Sequence, residues 1–141
     1  MSFVLDASVS MGWLLGHAKP ADRHYTGHVL DALMNTDIRA EVPVSWALEV
    51  ANVIARGELK QLITEAQSES FLEMLASAPV HVDHATFTAA FGDTLQLARR
   101  YRLSVYDASY LELALRSALP LATLDVKLNR AARKAGVARF Q

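Results

Sequence analysis

The sequence predicts an α/β domain built on a parallel sheet with helices on both faces. Short apolar runs of strand length alternate with longer segments whose apolar residues recur at helical spacing. Strands that alternate with helices are joined by right-handed crossovers, so the strands lie parallel. The 141 residues, 52% hydrophobic and 21% charged, suffice for one compact domain spanning 1–141.

The first half of the chain contains two predicted strands and four predicted helices. The apolar run FVLD is a buried strand, and MGWLL after a short turn is helical until GHAKP breaks it. The elements are, in order, a strand at 3–6, helices at 11–15 and 21–35, a strand at 40–44, and helices at 44–56 and 64–78.

Local capping patterns set the ends of the last two of these helices. Ser45 is a good N-cap for the helix at 44–56, and Gly57 lies where a C-cap belongs. Thr64 and Gln67 have the spacing of a capping box. These boundaries are therefore expected to be firm.

The second half continues the alternation and brings the expected sheet to about five strands. A helical segment at 84–101 is expected to kink at Gly92, and Ser104 is expected to cap a helix that runs to about Ser117. A basic helix at 126–136 is closed by Gly136. The remaining strands are at 79–83, 121–125 and 137–140.

Composition limits the classes of function. The net charge of −1 gives no global attraction to nucleic acid or to acidic membranes, so a polyanionic partner needs a local basic patch. With no cysteine, disulfides and thiolate sites are excluded, which leaves oxygen and imidazole ligands. The N-terminal MSFVLDASVS has neither a basic leader nor a membrane span, and we expect a cytoplasmic protein without membrane attachment.

Two aspartates lie where parallel α/β domains place their sites, and a third lies near the start of a helix. Asp6 and Asp125 end predicted strands, and ligands of such sheets bind beyond the carboxyl ends of the strands. Either residue could instead be a helix N-cap. Asp107, near a helix start, could serve the helix dipole, but its apolar neighbours predict burial: Val105, Tyr106, Ala108 and Leu111.

Glu49 is the acid most difficult to explain as a surface residue. Its helix has no evident polar face, because its flanking residues are Trp46, Ala47, Leu48, Val50, Ala51 and Val53. A buried carboxylate requires a partner, which could be Arg56 or Arg116.

A shared cation explains the four acids together. Two carboxylates about 4 Å apart repel by roughly 4 kcal/mol at an effective dielectric of about 20, so a cluster without a counterion protonates or separates. Oxygen ligands of this kind suit Mg²⁺ or Mn²⁺. Ser8 and Thr123 are candidates for hydrogen bonds to the strand-end acids, and Asn52 could orient Glu49 or be a core amide.

Two basic clusters could hold nucleic acid around an acidic centre. Phosphate contacts give affinity that falls with salt and carry little sequence information. Each cluster could equally be a solvated helix face. The residues are Lys127, Arg130, Arg133 and Lys134 in one cluster, and Arg99, Arg100 and Arg102 in the other.

Four ordered segments resemble the PIN domain of VapC-type toxins. They are FVLDAS, WALEVANVI, SVYDASYLELALR and LATLDVKLNRAA, and together they cover nearly the whole chain. The resemblance implies a three-layer α/β/α sandwich and a ribonuclease dependent on Mg²⁺ or Mn²⁺, whose catalytic and metal-binding residues are Asp6, Glu49, Asp107 and Asp125. It further implies an RNA substrate, an antitoxin partner and a homodimer. Glu112, about 140° around the helix from Asp107, fits a surface or interface acid better than a ligand.

Two other classes remain open from the sequence. An aspartyl-phosphate domain also has an acid after strand one, but Asp6, Ala7 and Ser8 do not form the D-x-D motif of one such class, and Glu49 would have no role. A binding module of the same fold could use the acids to hold a structural ion.

Overall fold

The computed structural model describes residues 1–16 and 19–141 and contains a four-stranded parallel sheet in the order β3-β2-β1-β4. Helices flank the sheet, which confirms the predicted α/β class. The strands are β1 Ser2–Leu5, β2 Arg39–Pro43, β3 Val80–Asp83 and β4 Leu121–Ala122.

The described helices follow the predicted order. The break expected at 16–20 includes residues 17 and 18, which lie outside the described part of the chain, and Gly16 ends α1 at φ 74°. No described helix has the length and apolarity needed to cross a membrane. The helices are α1 Ala7–Leu15, α2 Pro20–Asn35, α3 Trp46–Leu59, α4 Glu65–Ser77, α5 Thr86–Ala89, α6 Leu95–Tyr101, α7 Val105–Ser117 and α8 Val126–Lys134.

The core is built around β1, which lies between β2 and β4. Phe3, Val4 and Leu5 are all fully buried. Because successive side chains of a strand point to opposite faces, this run shows that both faces of the sheet are covered. Helix α7 contacts β1, β2 and β4, and its Tyr110 is among the largest fully buried side chains.

Two of the local capping predictions are confirmed. The hydroxyl of Thr64 accepts from the Gln67 amide at 3.1 Å and the Gln67 side chain accepts from the Thr64 amide, so the capping box before α4 is complete. Ser104 caps α7 by accepting from the Asp107 amide at 3.1 Å. The helix kink at Gly92 is also present, within a π-helical turn at Ala90–Thr94.

The predicted caps of α3 are wrong. Ser45 precedes the helix, but its backbone is already helical, and its side chain makes no capping bond, since a capping serine needs an extended backbone. Gly57 is buried inside the helix, which continues to Leu59. A Cβ on Gly57 would lie 3.1 Å from Ile63 Cδ1, so the glycine serves close packing there.

The burial that the apolar neighbours of Glu49 predicted for α3 is present on one side of the helix only. Trp46, Val50 and Ile54 form its buried stripe. The opposite side is exposed, with Leu48 74% accessible and Ala51 open to solvent. Apolar residues on a helix therefore did not identify burial in this case, because small and aliphatic side chains also occur on surfaces.

The two C-terminal strands are shorter than predicted. The strand expected at 121–125 covers only Leu121–Ala122, and the segment expected at 137–140 forms a single bridge between Leu121 and Arg139. Strand β4 has two residues, so the C-terminal segment can pair with little of its free edge. Two backbone hydrogen bonds join them, from Leu121 N to Ala138 O and from Phe140 N to Leu121 O.

Candidate active site

Asp6 lies directly after β1 and is 4% exposed. Its Oδ2 accepts hydrogen bonds from Ser8 Oγ at 2.5 Å and from Thr123 Oγ1 at 2.7 Å. Asp6 occupies the N-cap position of α1, as the alternative interpretation allowed, but its side chain makes no capping bond. Burial is the main cause that raises the pKa of Asp6, and the charge of Asp125 adds to it.

Ser8 and Thr123 join the carboxyl ends of β1 and β4 around Asp6. Thr123 is fully buried, and its hydroxyl also accepts from the Asp125 amide at 3.0 Å. The Ser8 hydroxyl accepts from the Leu124 amide at 3.1 Å. The two residues therefore make the hydrogen bonds to a strand-end acid that the sequence suggested.

Asp125 caps α8, as the alternative interpretation allowed. Its Oδ1 accepts from the Leu128 amide at 2.7 Å, and the side chain is exposed. The cap does not separate it from the other acids, because its charge raises the pKa of both Asp6 and Asp107. One carboxylate thus both caps a helix and contributes to the negative field of the site.

Glu49 reaches the same region from α3. It is half-buried, and its Oε1 accepts from the Tyr110 hydroxyl at 3.2 Å. Burial, then the charges of Asp6 and Asp107, raise the pKa of Glu49 to about 7. Arg116, one suggested partner for Glu49, pairs instead with Asp83 at 2.6 Å and with Glu112 at 2.7 Å.

Asp107 lies in the first turn of α7 and is half-buried. Burial raises its pKa, and the charges of Asp6 and Asp125 raise it further, while Lys127 opposes the shift. Its neighbour Tyr106 is 65% exposed, so the burial predicted around Asp107 holds on one side of the helix only.

The electrostatics of these four acids fit a divalent cation. Three of them have raised pKa values that include repulsion from other members of the group. None of the three ion pairs described in 1–16 and 19–141 includes any of the four. As placed, no group of three or more acidic or histidine side chains in these ranges is arranged to hold a metal ion. The donor type and the unbalanced charge nevertheless match what Mg²⁺ or Mn²⁺ binds.

The predictions for Asn52 and Glu112, the two other polar residues considered near the acids, are not confirmed. Asn52 is exposed, and the described contacts include no hydrogen bond between it and Glu49. Glu112 is 5% exposed and accepts from Arg116 at 2.7 Å and 3.2 Å, so its interpretation as a surface acid is wrong. Its burial is explained by Arg116, which joins α7 to Asp83 at the end of β3.

Sequence reasoning missed Tyr110. This side chain is 0% exposed, yet its hydroxyl bonds Glu49. The available signal was its position three residues after Asp107, which places both residues on one side of the helix.

The two basic clusters meet at a groove of about 350 Å³ between α6 and α8. Arg133 lies in a separate cavity of about 480 Å³ with Arg130 and Arg139. Arg99 is exposed and is not among the residues described as lining either space. The charged residues lining the first groove are Arg100, Arg102, Lys127, Arg130 and Lys134.

Comparison with solved structures identifies the same fold in other proteins. The chain is similar to PAE2754 from Pyrobaculum aerophilum (20% identity, TM-score 0.65, covering 93% of this chain and 84% of the other). It is also similar to VapBC2 from Rickettsia felis bound to a DNA fragment from their promoter (13% identity, TM-score 0.67, covering 99% of this chain and 98% of the other). It is similar, too, to FitAcB from Neisseria gonorrhoeae, at 22% identity and a TM-score of 0.61, covering 100% of this chain and 97% of the other.

Family comparison agrees with the structural likeness. None of the curated proteins matches the chain significantly. The family model described as "PIN domain" matches residues 3–134. The match includes all four acids and almost the full length of the chain, which therefore belongs to the PIN domain family.

Proposed function

We propose that this chain is an endoribonuclease dependent on Mg²⁺ or Mn²⁺ and that it is the toxin of a toxin–antitoxin pair. PIN domains are typically nucleases and generally use divalent metal ions. The observation that carries the proposal is the mutual electrostatic repulsion of four carboxylates, which no ion pair among the described residues relieves. Such a site gains most from a cation.

The four acids have distinct supports within this proposal. Asp6 is held by Ser8 and Thr123, and Glu49 is held across the site by Tyr110. Asp107 and Asp125 come from the first turn of α7 and the cap of α8. The residues that would hold the cation are Asp6, Glu49, Asp107 and Asp125.

The reaction is hydrolysis of a phosphodiester bond. A divalent cation held by these four acids would supply Lewis acidity, which would lower the pKa of water and stabilise charge on the phosphate. The chain supplies placement: its carboxylates fix the reaction centre at the carboxyl end of the sheet, where a water can be aligned with the bond to the leaving oxygen. Attack by water breaks the bond to the 3′ oxygen, so the products carry a 5′-phosphate and a 3′-hydroxyl.

RNA is the proposed substrate, and the groove between α6 and α8 is its proposed binding surface. An acidic centre repels a polyanion, so binding requires cations beside it. Lys127 connects the two regions, since it lines the groove and also lowers the pKa of Asp107. Of the predicted cations, the groove contains Arg100, Arg102, Lys127, Arg130 and Lys134, while Arg99 and Arg133 are proposed only as peripheral contacts.

The partners follow from the VapC-type resemblance. The match to VapBC2 and FitAcB across nearly the whole of each chain supports a cognate antitoxin. A homodimer and a cytoplasmic location belong to the same proposal.

Cleavage of total cellular RNA by the purified chain tests the function. Parent protein with Mg²⁺ or Mn²⁺ should give discrete products, and both EDTA and Asp6→Asn should abolish them. Asp6→Asn keeps the size of the side chain and removes its charge. Equal cleavage by Asp6→Asn would indicate a contaminating nuclease, and no cleavage with either ion at any salt concentration would favour the non-catalytic binding module.

A further inference from the structure

Tyr110 is a buried tyrosine whose hydroxyl lies among the acids. The side chain is 0% exposed on α7 and donates to Glu49 Oε1 on α3 at 3.2 Å. Burial, then the charges of Asp6 and Glu49, raise the pKa of the phenol, while the backbone of Ala7 opposes the shift. The hydroxyl is therefore located between α3 and the start of α1, close to Asp6.

Packing alone does not account for a tyrosine at this position. A phenylalanine fills the same space, and burying a hydroxyl costs free energy unless it is hydrogen-bonded. The hydroxyl donates its hydrogen bond to the carboxylate of Glu49, and this bond is charge-assisted when Glu49 is ionised. Because α7 also carries Asp107, one helix presents both an acid and the group that holds a second acid.

The geometry points to Tyr110 as a positioning residue for Glu49, an inference that rests on the proposed function. We infer that the phenol fixes one carboxylate oxygen of Glu49, so that the other is directed towards a divalent cation. Glu49 needs such support because it is only half-buried, next to the exposed side of α3. A glutamate that packing does not enclose has several side-chain rotamers available. Loss of an outer hydrogen bond to a metal ligand typically weakens metal affinity or activity by about 10-fold to 100-fold.

The test is the Mn²⁺ affinity of Tyr110→Phe, measured by electron paramagnetic resonance of free Mn²⁺. Tyr25→Phe is the matched control, because the Tyr25 hydroxyl bonds the Phe140 carbonyl at 2.9 Å, and its ring lies against Arg139 instead of the acids. We expect Tyr110→Phe to weaken Mn²⁺ binding about 10-fold or more, and Tyr25→Phe to leave it unchanged. At limiting Mn²⁺, kcat should fall in Tyr110→Phe with KM for RNA unchanged, and saturating Mn²⁺ should restore much of the loss.

A double-variant cycle separates positioning from a general effect on the fold. In a Glu49→Gln background, Tyr110→Phe should have little further effect on Mn²⁺ affinity, because the two residues act as one unit. If parent protein binds Mn²⁺ and Tyr110→Phe binds it equally well, the positioning role is wrong and the proposed nuclease stands. If Tyr110→Phe lowers the melting temperature but leaves the Mn²⁺ affinity unchanged, the positioning role is likewise wrong and the tyrosine is only structural. If parent protein neither binds Mn²⁺ nor cleaves RNA, the proposed function fails, and this inference fails with it.

Discussion

Thr123 donates a 2.7 Å hydrogen bond to Asp6 and thereby links the ends of two neighbouring strands. Its hydroxyl also accepts from the Asp125 amide. We expect Thr123→Val, which preserves shape, to destabilise the protein by about 1–3 kcal/mol, because it leaves buried polar groups without a partner. Urea unfolding measures this change.

Thr94 provides a matched control for that substitution. It is also buried, but its hydroxyl has no hydrogen-bond partner among the described residues. Thr94→Val should therefore be neutral or stabilising. Equal destabilisation by the two substitutions would show that the bond to Asp6 contributes nothing specific.

The stability of the metal-free protein should depend on the ionisation of Glu49. Its pKa is raised to about 7 in the folded protein from an ordinary value of 4.5. The folded state therefore binds the proton more tightly than the unfolded state, so this contribution to stability is present below pH 4.5 and is lost as the pH rises to about 7. Melting in EDTA should show this decline, and Glu49→Gln should reduce it. An identical pH profile in both proteins would contradict the raised pKa.

Replacing Asp107 with asparagine should separate stability from activity. Burial and the charges of Asp6 and Asp125 disfavour its ionised form. Asp107→Asn should raise the melting temperature in EDTA and abolish cleavage, since it removes repulsion and a proposed ligand together. A clear fall in melting temperature would instead indicate that the carboxylate has a structural partner.

The basic groove should govern binding of RNA more than the chemical step. Arg100→Gln with Arg130→Gln removes one cation from each of its helices. We expect a higher KM, little change in kcat, and a salt dependence of binding that is shallower by roughly 0.7 per lost phosphate contact. Arg56→Gln, at an exposed position of α3, is the control. An equal effect per removed charge at Arg56 would mean that net charge, and not the groove, determines affinity.

The features predicted best from sequence are those determined locally. The capping box at Thr64 and Gln67 and the cap at Ser104 depend on residues three positions apart, and both are present. The strand-end position of Asp6 follows similarly from the alternation of strands and helices. Local chemistry and topology therefore sufficed to predict that Asp6 follows the carboxyl end of β1.

The features that sequence reasoning missed depend on distant contacts. Gly57 was expected to end a helix, but Ile63 folds back against it. Arg116 was a candidate partner for Glu49, but Asp83 on β3 binds it instead. The Tyr110 bond to Glu49 joins two helices. Such pairings are determined by how the elements pack, which periodicity along one chain does not specify.

The most direct test of the central claim is the end chemistry of RNA cleaved by the purified protein with Mn²⁺. Hydrolysis by a water held at the four acids predicts 5′-phosphate and 3′-hydroxyl ends that are absent in EDTA and with Asp6→Asn. Products with 5′-hydroxyl and 2′,3′-cyclic phosphate ends, or cleavage that persists in Asp6→Asn, would contradict the account.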